Sequence, residues 1–346
     1  MLLGFALTEH CNLRCPHCIR DDVTTVQNLP SGLLFDTVDA ARAMLGPVTV
    51  SMTGGEPTLH PEWEGIIAGL HARGVPYRVV TNGWHMRRLM PGLERHPPEF
   101  VRISLSGADE AVHDEERGRG SFKRVMLAMA LLTSRQIPAG LSMVVDRRDR
   151  HQLREAAELA ESLGALRMHF ILPQPVPGSA ARDSDLPPED WRPVRDEIMA
   201  LAAEPGRRCR IRLDYGAPSD GAEEMQCDTF AGRRLSVDAR GRLSLCCQLS
   251  EYGFNDADVV ADLAREPFAQ AWPRYVEGIE RLRIASRPRP DGGPFEAFPC
   301  IRCARSLGKM DWIAAYPGTP WHAAAGQSPA RPALVGLTYR PAAQAA

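Results

Sequence analysis

The sequence has 346 residues, 44% of them hydrophobic and 24% charged, with a formal net charge of −2. That length accommodates one large domain and a smaller one. The composition is that of an ordinary globular chain, and near-neutral charge gives no pull toward nucleic acid or an anionic membrane. No stretch approaches the roughly 20 apolar residues of a membrane span, and no signal-peptide pattern opens the chain. Nucleic-acid and membrane partners are set aside, and a cytoplasmic, reducing compartment is expected. The nine cysteines are then read as metal ligands, not disulfides. The basic runs Arg117 to Arg124, Arg147 to Arg154 and Arg207 to Arg212 are mostly surrounded by acidic residues and read as solvated faces. No internal repeat is found.

Strand-like and helix-like runs alternate through residue 175. Gly4 to Thr8 reads as a first strand. Leu33 to Leu45 has helical periodicity with Asp36 as the expected N-cap. Val48 to Met52 is a second strand, Pro61 to Ala72 a helix, Tyr77 to Thr81 a third strand and His85 to Leu93 a helix. Val101 to Leu105 is a fourth strand, Phe122 to Thr133 a helix and Leu141 to Val145 a fifth strand. His151 to Leu163 is a helix closed by Gly164, and Leu166 to Leu172 a sixth strand. Six such units imply a parallel α/β sheet with right-handed crossovers and chemistry at the C-terminal strand ends. The residues alone do not separate an open sheet from a partial barrel.

Three cysteines, Cys11, Cys15 and Cys18, follow the first strand in a C-x3-C-x2-C spacing. Packing cysteines would have no reason to gather around Asn12, Arg14 and His17. A structural zinc site would need a fourth ligand close by. Three thiolates suit a cluster with one iron left open. The second strand ends in Thr53-Gly54-Gly55-Glu56-Pro57, where paired glycines admit a ligand close to the backbone and Glu56 is placed to accept from a cationic amine. Thr81-Asn82-Gly83 ends the third strand. On the fourth, Ser104 lies on the face opposite Ile103 and Leu105.

Together these motifs resemble the radical S-adenosylmethionine (SAM) superfamily. The resemblance implies a partial (β/α)6 barrel over residues 1–175. It also implies a 4Fe–4S cluster on Cys11, Cys15 and Cys18 with SAM on its open iron. One electron then cleaves SAM, and the 5′-deoxyadenosyl radical takes a hydrogen atom from the substrate. His17 stands where the family often has an aromatic residue near the adenine. Gly54, Gly55, Glu56 and Pro57 match the motif that holds the SAM amino group, and Asn82 and Ser104 match further SAM contacts. Ser106 departs from the aspartate usual in the family. His113-Asp114, Arg117-Gly118 and Gly120-Ser121-Phe122 resemble a stretch of its peptide-modifying branch, which loop-to-helix packing explains equally well.

Beyond residue 175 the alternation fades. Residues 176–220 read as a linker and helix, with Pro173 to Pro188 Pro-rich, and 316–346 as a flexible tail. A hairpin turning near Ala239-Arg240-Gly241 would return Cys246 toward Cys227, and Cys300-x2-Cys303 is a two-thiol clip. A zinc ribbon is the rival for these four. The pattern resembles the truncated SPASM domain called twitch, over residues 221–315. That likeness implies one auxiliary 4Fe–4S cluster on Cys227, Cys246, Cys300 and Cys303. Cys209 and Cys247 are left over. Cys247 reads as a packing residue or, more sharply, as a hydrogen-atom donor in an epimerase.

The expectation is therefore a radical SAM oxidoreductase or maturase that modifies a ribosomally made peptide by crosslinking, oxidation or epimerisation. An external donor such as flavodoxin or ferredoxin would supply its electrons. The sequence opens directly on the first strand, which counts against a built-in peptide-recognition segment. Dehydrogenation or epimerisation of an amino sugar or aminocyclitol is the alternative. A non-enzymatic iron–sulfur or zinc protein is the alternative of another class. A molybdopterin-type cyclase would end in Gly-Gly, whereas this chain ends Ala342-Ala343-Gln344-Ala345-Ala346.

Overall fold

The computed structural model describes residues 1–19, 26–173, 175, 185–214, 216–219, 227–250, 255–331 and 334. β1 (Leu2–Thr8), β2 (Thr49–Gly54), β3 (Tyr77–Thr81), β4 (Phe100–Leu105), β5 (Ala139–Val144), β6 (Arg167–Ile171) and β7 (Arg210–Leu213) pair in parallel, each with the next. Between them lie α1 (Ser31–Leu45), α2 (Trp63–Ala72), α3 (Met86–Arg95), α4 (Glu110–Arg117), α5 (Ser121–Ser134), α6 (Leu153–Ser162) and α7 (Trp191–Ala203). β3, β4 and β6 alternate in burial as a sheet with helices on one face requires. On β4, Val101, Ile103 and Leu105 are fully buried, while Arg102 and Ser104 face the other side and are half-buried. α5 answers with Val125, Ala128, Met129 and Leu132, an i, i+3, i+4, i+7 stripe at 0% exposure. Val125, Met129 and Leu132, fully buried, each contribute about 2 kcal/mol.

The remaining elements are β8 (Arg234–Val237), β9 (Arg242–Ser244), α8 (Cys247–Ser250), β10 (Val259–Asp262), α9 (Phe268–Ala285), α10 (Pro299–Ser306) and α11 (His322–Gly326). The expected hairpin forms: Ser236 pairs with Ser244 and Val237 with Leu243, antiparallel, and Gly241 turns at φ 82°. β8 also lies parallel beside β1, with Leu2 opposite Arg234 and Phe5 opposite Val237. The C-terminal strands thus continue the same ten-stranded sheet, ordered β10-β9-β8-β1-β2-β3-β4-β5-β6-β7. The architecture is the expected partial barrel of parallel strands, with an antiparallel C-terminal part joined to it edge to edge.

Four local expectations need correcting. α1 begins at Ser31 behind Pro30, with Leu34 N–H bonded to the Pro30 carbonyl (3.1 Å), so Asp36 lies inside the helix and caps nothing. α4 was invisible to periodicity because it is almost wholly charged. Its start is fixed by Asp109, whose Oδ1 accepts from Val112 N–H at 3.0 Å. β7, Arg-Ile-Arg-Leu, buries little and carries no apolar run. Residues 317–331, expected to be loose, pack instead: Trp321 is 2% exposed against Phe295 and Phe298, and Arg331 pairs with Glu296. A large aromatic ring had more apolar area to bury than the Ala-rich composition around it suggested. Of the Pro-rich stretch, residues 174 and 176–184 lie outside the described residues, as do 332–333 and 335–346 of the tail.

Candidate active site

The cysteine loop leaves the C-terminal end of β1 in a fixed turn. Thr8 Oγ1 donates to Asn28 Oδ1 (2.6 Å) and accepts from His10 N–H (3.0 Å). Cys18 N–H closes on the Cys15 carbonyl (3.1 Å), and Leu13 N–H points at the Cys11 sulfur (3.4 Å). Cys11 and Cys15 are half-buried and Cys18 is exposed. Burial pushes the Cys15 thiol up, the Arg117 guanidinium opposes that, and the charges of Cys18 and Cys11 add to it. Three sulfurs within one another's electrostatic reach, partly open to solvent, fit a cluster that keeps a coordination position free.

The β2 end is tied to this loop through its backbone. Gly55 N–H donates to the Thr8 carbonyl (2.7 Å) and Glu56 N–H to the His10 carbonyl (2.8 Å). Gly54 has φ 119°, and a Cβ there would stand 2.5 Å from the Thr8 carbonyl oxygen, so only glycine fits. Pro57 is buried and opens a short 3-10 turn over Pro57–Leu59. Glu56 differs from expectation. It is 1% exposed, and both carboxylate oxygens are occupied internally. Oε1 accepts from Thr58 Oγ1 (2.6 Å), Thr81 Oγ1 (2.7 Å) and Thr58 N–H (3.3 Å), and Oε2 from Asn82 N–H (2.7 Å). The carboxylate locks the β2 end to the β3 end and does not face outward toward an amine. Asn82 in turn bridges to the cysteine loop, donating Nδ2–H to Asn12 Oδ1 (2.9 Å). Ser104 lies half-buried on the inner face of β4.

The charged stretch after β4 braces the same loop. His17 Nδ1 lies 2.7 Å from Glu116 Oε2, and its Nε2 lies 3.2 Å from Arg117 Nη2. Arginine can only donate. Nε2 is therefore the acceptor, and the ring proton sits on Nδ1, given to Glu116. Arg148 also pairs with Glu116. Arg117 Nε donates to Ser106 Oγ (2.7 Å), and Ser106 N–H to His113 Nδ1 (3.1 Å). Burial, with Arg117 nearby, pushes His113 down to about 3, so the ring stays neutral. Asp114 takes Phe122 N–H (2.8 Å), Ser121 Oγ (3.0 Å) and Gly120 N–H (2.5 Å), capping α5. The stretch is loop-to-helix scaffolding, and it reaches the cysteine loop through His17.

Past β5, Asp149 Oδ1 accepts Asp146 N–H (2.8 Å), and burial together with the Asp146 charge pushes the Asp149 carboxyl up to about 8. An unfolded aspartate titrates near 3.9, so the native state binds the extra proton between those values. This contribution to stability is whole below about 4 and lost as pH rises to about 8. Asp149→Asn keeps the acceptor and removes the titration. Its gain in stability over the parent should grow by about 4 kcal/mol from pH 5 to pH 8, read as paired thermal midpoints.

The C-terminal cysteines meet at a second place. Cys227, Cys246, Cys300 and Cys303 line one partly open pocket, walled by Phe230, Leu249 and Leu282. Burial pushes Cys303 up to about 12 and raises Cys300 well above an ordinary thiol, with neighbouring cysteines adding to it. Four thiols held in an apolar wall at such cost fit a positively charged, sulfur-loving centre. Gly216 presses close: a Cβ there would stand 3.3 Å from the Cys300 sulfur. Among the described residues, no group of three or more His, Cys, Asp or Glu is arranged to hold a single metal ion.

Cys247 is not among the residues that line this pocket. A hydrogen bond from Cys246, then the cations Arg234 and Arg102, pull its thiol well below the usual range. Cys209 is 2% exposed in the core, its thiol pushed up to about 11 by burial, which is the behaviour of a packing residue. Sequence reasoning missed Glu116, which stands in no motif; its contact with His17 spans 99 residues of sequence, and Arg117, noted only as part of a motif-like stretch, reaches His17 across 100.

Residues 5–160 match the model of the Radical SAM superfamily. The AdoMet-dependent heme synthase of Methanosarcina barkeri is 27% identical over 61% of this chain and 60% of its own. The mycofactocin maturase MftC of Mycolicibacterium smegmatis is 30% identical over 57% of this chain and 51% of its own. The chain thus spans between half and two thirds of these relatives' lengths. SuiB of Streptococcus suis, solved with S-adenosylmethionine and with its precursor peptide SuiA, superposes with a TM-score of 0.69 over 92% of this chain. The match covers 75% and 73% of the two SuiB chains, at 14% and 13% identity, a likeness of fold alone.

Proposed function

We propose that this chain, a radical SAM enzyme of the Radical SAM superfamily, abstracts hydrogen from an unactivated carbon of a ribosomally made peptide. The outcome would be a crosslink, an oxidation or an epimerisation. The observation that carries this is the pair of separate cysteine sites on one sheet: the loop after β1, and the four-cysteine cavity on the β8–β9 extension bonded to β1. Cys11, Cys15 and Cys18 are assigned to a SAM-binding 4Fe–4S cluster, and Cys227, Cys246, Cys300 and Cys303 to one auxiliary cluster, a twitch-like arrangement. When bound, the first cluster supplies an electron to SAM, and the radical so made takes hydrogen from the substrate. The chain's own residues hold and shape the site. The Gly54–Gly55 backbone brings β2 against the loop, Glu56 and Asn82 fix the neighbouring strand ends, and His17 anchors the loop to Glu116 and Arg117. An auxiliary cluster there would accept an electron from the substrate, giving net oxidation.

Peptide as substrate is supported by the likeness to MftC, a maturase, and to SuiB, a protein solved with its precursor peptide. A small-molecule substrate is the second reading, favoured by the heme synthase relative. The test is anaerobic incubation of the reconstituted, chemically reduced protein with SAM and candidate precursor peptides, followed by mass spectrometry. Formation of 5′-deoxyadenosine, with a peptide that has lost two hydrogens or gained solvent deuterium, is the expected result. Cys247→Ala should give the same product. Absence of 5′-deoxyadenosine from the reduced protein would sink the reading.

A further inference from the structure

The four-cysteine pocket is assembled from segments far apart in the chain. Cys246 and Leu249 come from the stretch that leaves β9 and enters α8, and Cys300 and Cys303 from α10. A buried ammonium that belongs to no motif ties these two segments together. Lys309 follows α10, and its side chain is 2% exposed. Its backbone N–H donates to the carbonyl of Ala304 (3.0 Å), the residue after Cys303. Its Nζ donates to the carbonyl of Leu249 (2.9 Å), across 60 residues of sequence. Leu249 N–H in turn donates to the Cys246 carbonyl (3.1 Å).

A second path reaches Cys246 from its other side. Lys309 Nζ lies 2.6 Å from Asp258 Oδ1, on a side chain 1% exposed. The Asp258 carbonyl accepts from the N–H of Leu245 (3.0 Å), the residue before Cys246. Nζ also donates to the Asn255 carbonyl (2.9 Å), and Asn255 Nδ2 donates back to the Leu307 carbonyl (3.2 Å). Neutralising Asp258 would occupy one donor of the ammonium. Here two further bonds run to backbone carbonyls, the use that a three-donor group allows. Burying both charges carries a desolvation cost that their attraction need not recover, so the pair is weak as a source of stability and specific as a tie.

We propose that Lys309 is a positioning residue for the metal centre of the four-cysteine pocket, fixing Cys246 against the helix that carries Cys300 and Cys303. Lys309 is not among the residues that line the pocket, and it acts through the backbone on both sides of Cys246. This rests on the reading of the pocket as a metal site, whether iron–sulfur or zinc. Ligands keep their geometry only as well as the residues behind them do.

The experiment uses the full chain carrying Cys11→Ala, Cys15→Ala and Cys18→Ala, reconstituted anaerobically, so that the metal counted belongs to the C-terminal pocket. Lys309→Met, Asp258→Leu and the double variant are compared with this parent for iron and zinc content, release of metal to a chelator, and thermal midpoint of the metal-free chain. Lys309→Met strands a buried carboxylate, so its midpoint should fall and its metal release should quicken about tenfold or more. The double variant strands no charge, so its midpoint should return toward the parent while its release stays as fast as in Lys309→Met. Asp258→Leu keeps the lysine and its carbonyl bonds, and its release should lie between. Unchanged release in Lys309→Met overturns the proposal. Release that follows the midpoint through all the variants, with the double variant restored in both, makes Lys309 a plain stability residue and also overturns it. A parent that takes up neither iron nor zinc defeats the metal reading itself, and the proposal with it. Metal uptake with unaltered release defeats the proposal alone, so the two failures are distinguishable.

Discussion

Glu56→Ala is expected to lower stability by about 3 kcal/mol and to weaken SAM binding by about a hundredfold, with iron on the first cluster retained. The removed carboxylate is the acceptor for two threonine hydroxyls and for the Asn82 and Thr58 N–H groups, in a place with almost no access to water. The hydroxyls can turn elsewhere, but the Asn82 N–H cannot. Its loss frees the β3 end from the β2 end, and with it the Asn82–Asn12 bridge to the cysteine loop. Glu56→Gln distinguishes this account from direct contact. An amide must turn its NH2 toward one of those donors, so stability and SAM affinity should fall together. Weakened SAM binding at an unchanged thermal midpoint would restore the carboxylate as a direct ligand of the SAM amine.

Cys300→Ala combined with Cys303→Ala should remove about half of the iron and leave the SAM-responsive signal in place. Both residues lie on α10 facing the cavity, and Pro299 at its first turn fixes where the helix starts. If the cavity holds zinc, the double variant loses zinc and keeps all its iron, and the proposed electron acceptor disappears from the mechanism. Gly216→Ala is the milder probe. A methyl group 3.3 Å from the Cys300 sulfur must displace it by a few tenths of an ångström, and a cluster held by that sulfur should turn over faster in a chelator.

The sequence was most legible where chemistry demands fixed spacing or where apolar periodicity is strong. β3 runs over Tyr77–Thr81 as expected, and the hairpin turning at Gly241 forms. The four cysteines expected to act together line one cavity, although 76 positions separate Cys227 from Cys303. What could not be read was decided by contacts between distant, polar residues. α4 has almost no apolar stripe, and its partner is His17, 99 residues away. Glu56 looked available for an amine because a sequence gives no hint that Thr58, Thr81 and Asn82 fill its oxygens. The edge pairing of β8 with β1 was hidden as well, because a strand of four residues states nothing about which neighbour it will choose.

The most direct test of the two-site account is anaerobic iron and sulfide analysis with EPR, on wild type and on the Cys11→Ala, Cys15→Ala, Cys18→Ala triple variant, each reduced and recorded with and without SAM. The account predicts that the triple variant keeps about half of the iron and that SAM perturbs only the signal the variant has lost. A triple variant with no iron, or one whose remaining signal still responds to SAM, would contradict it.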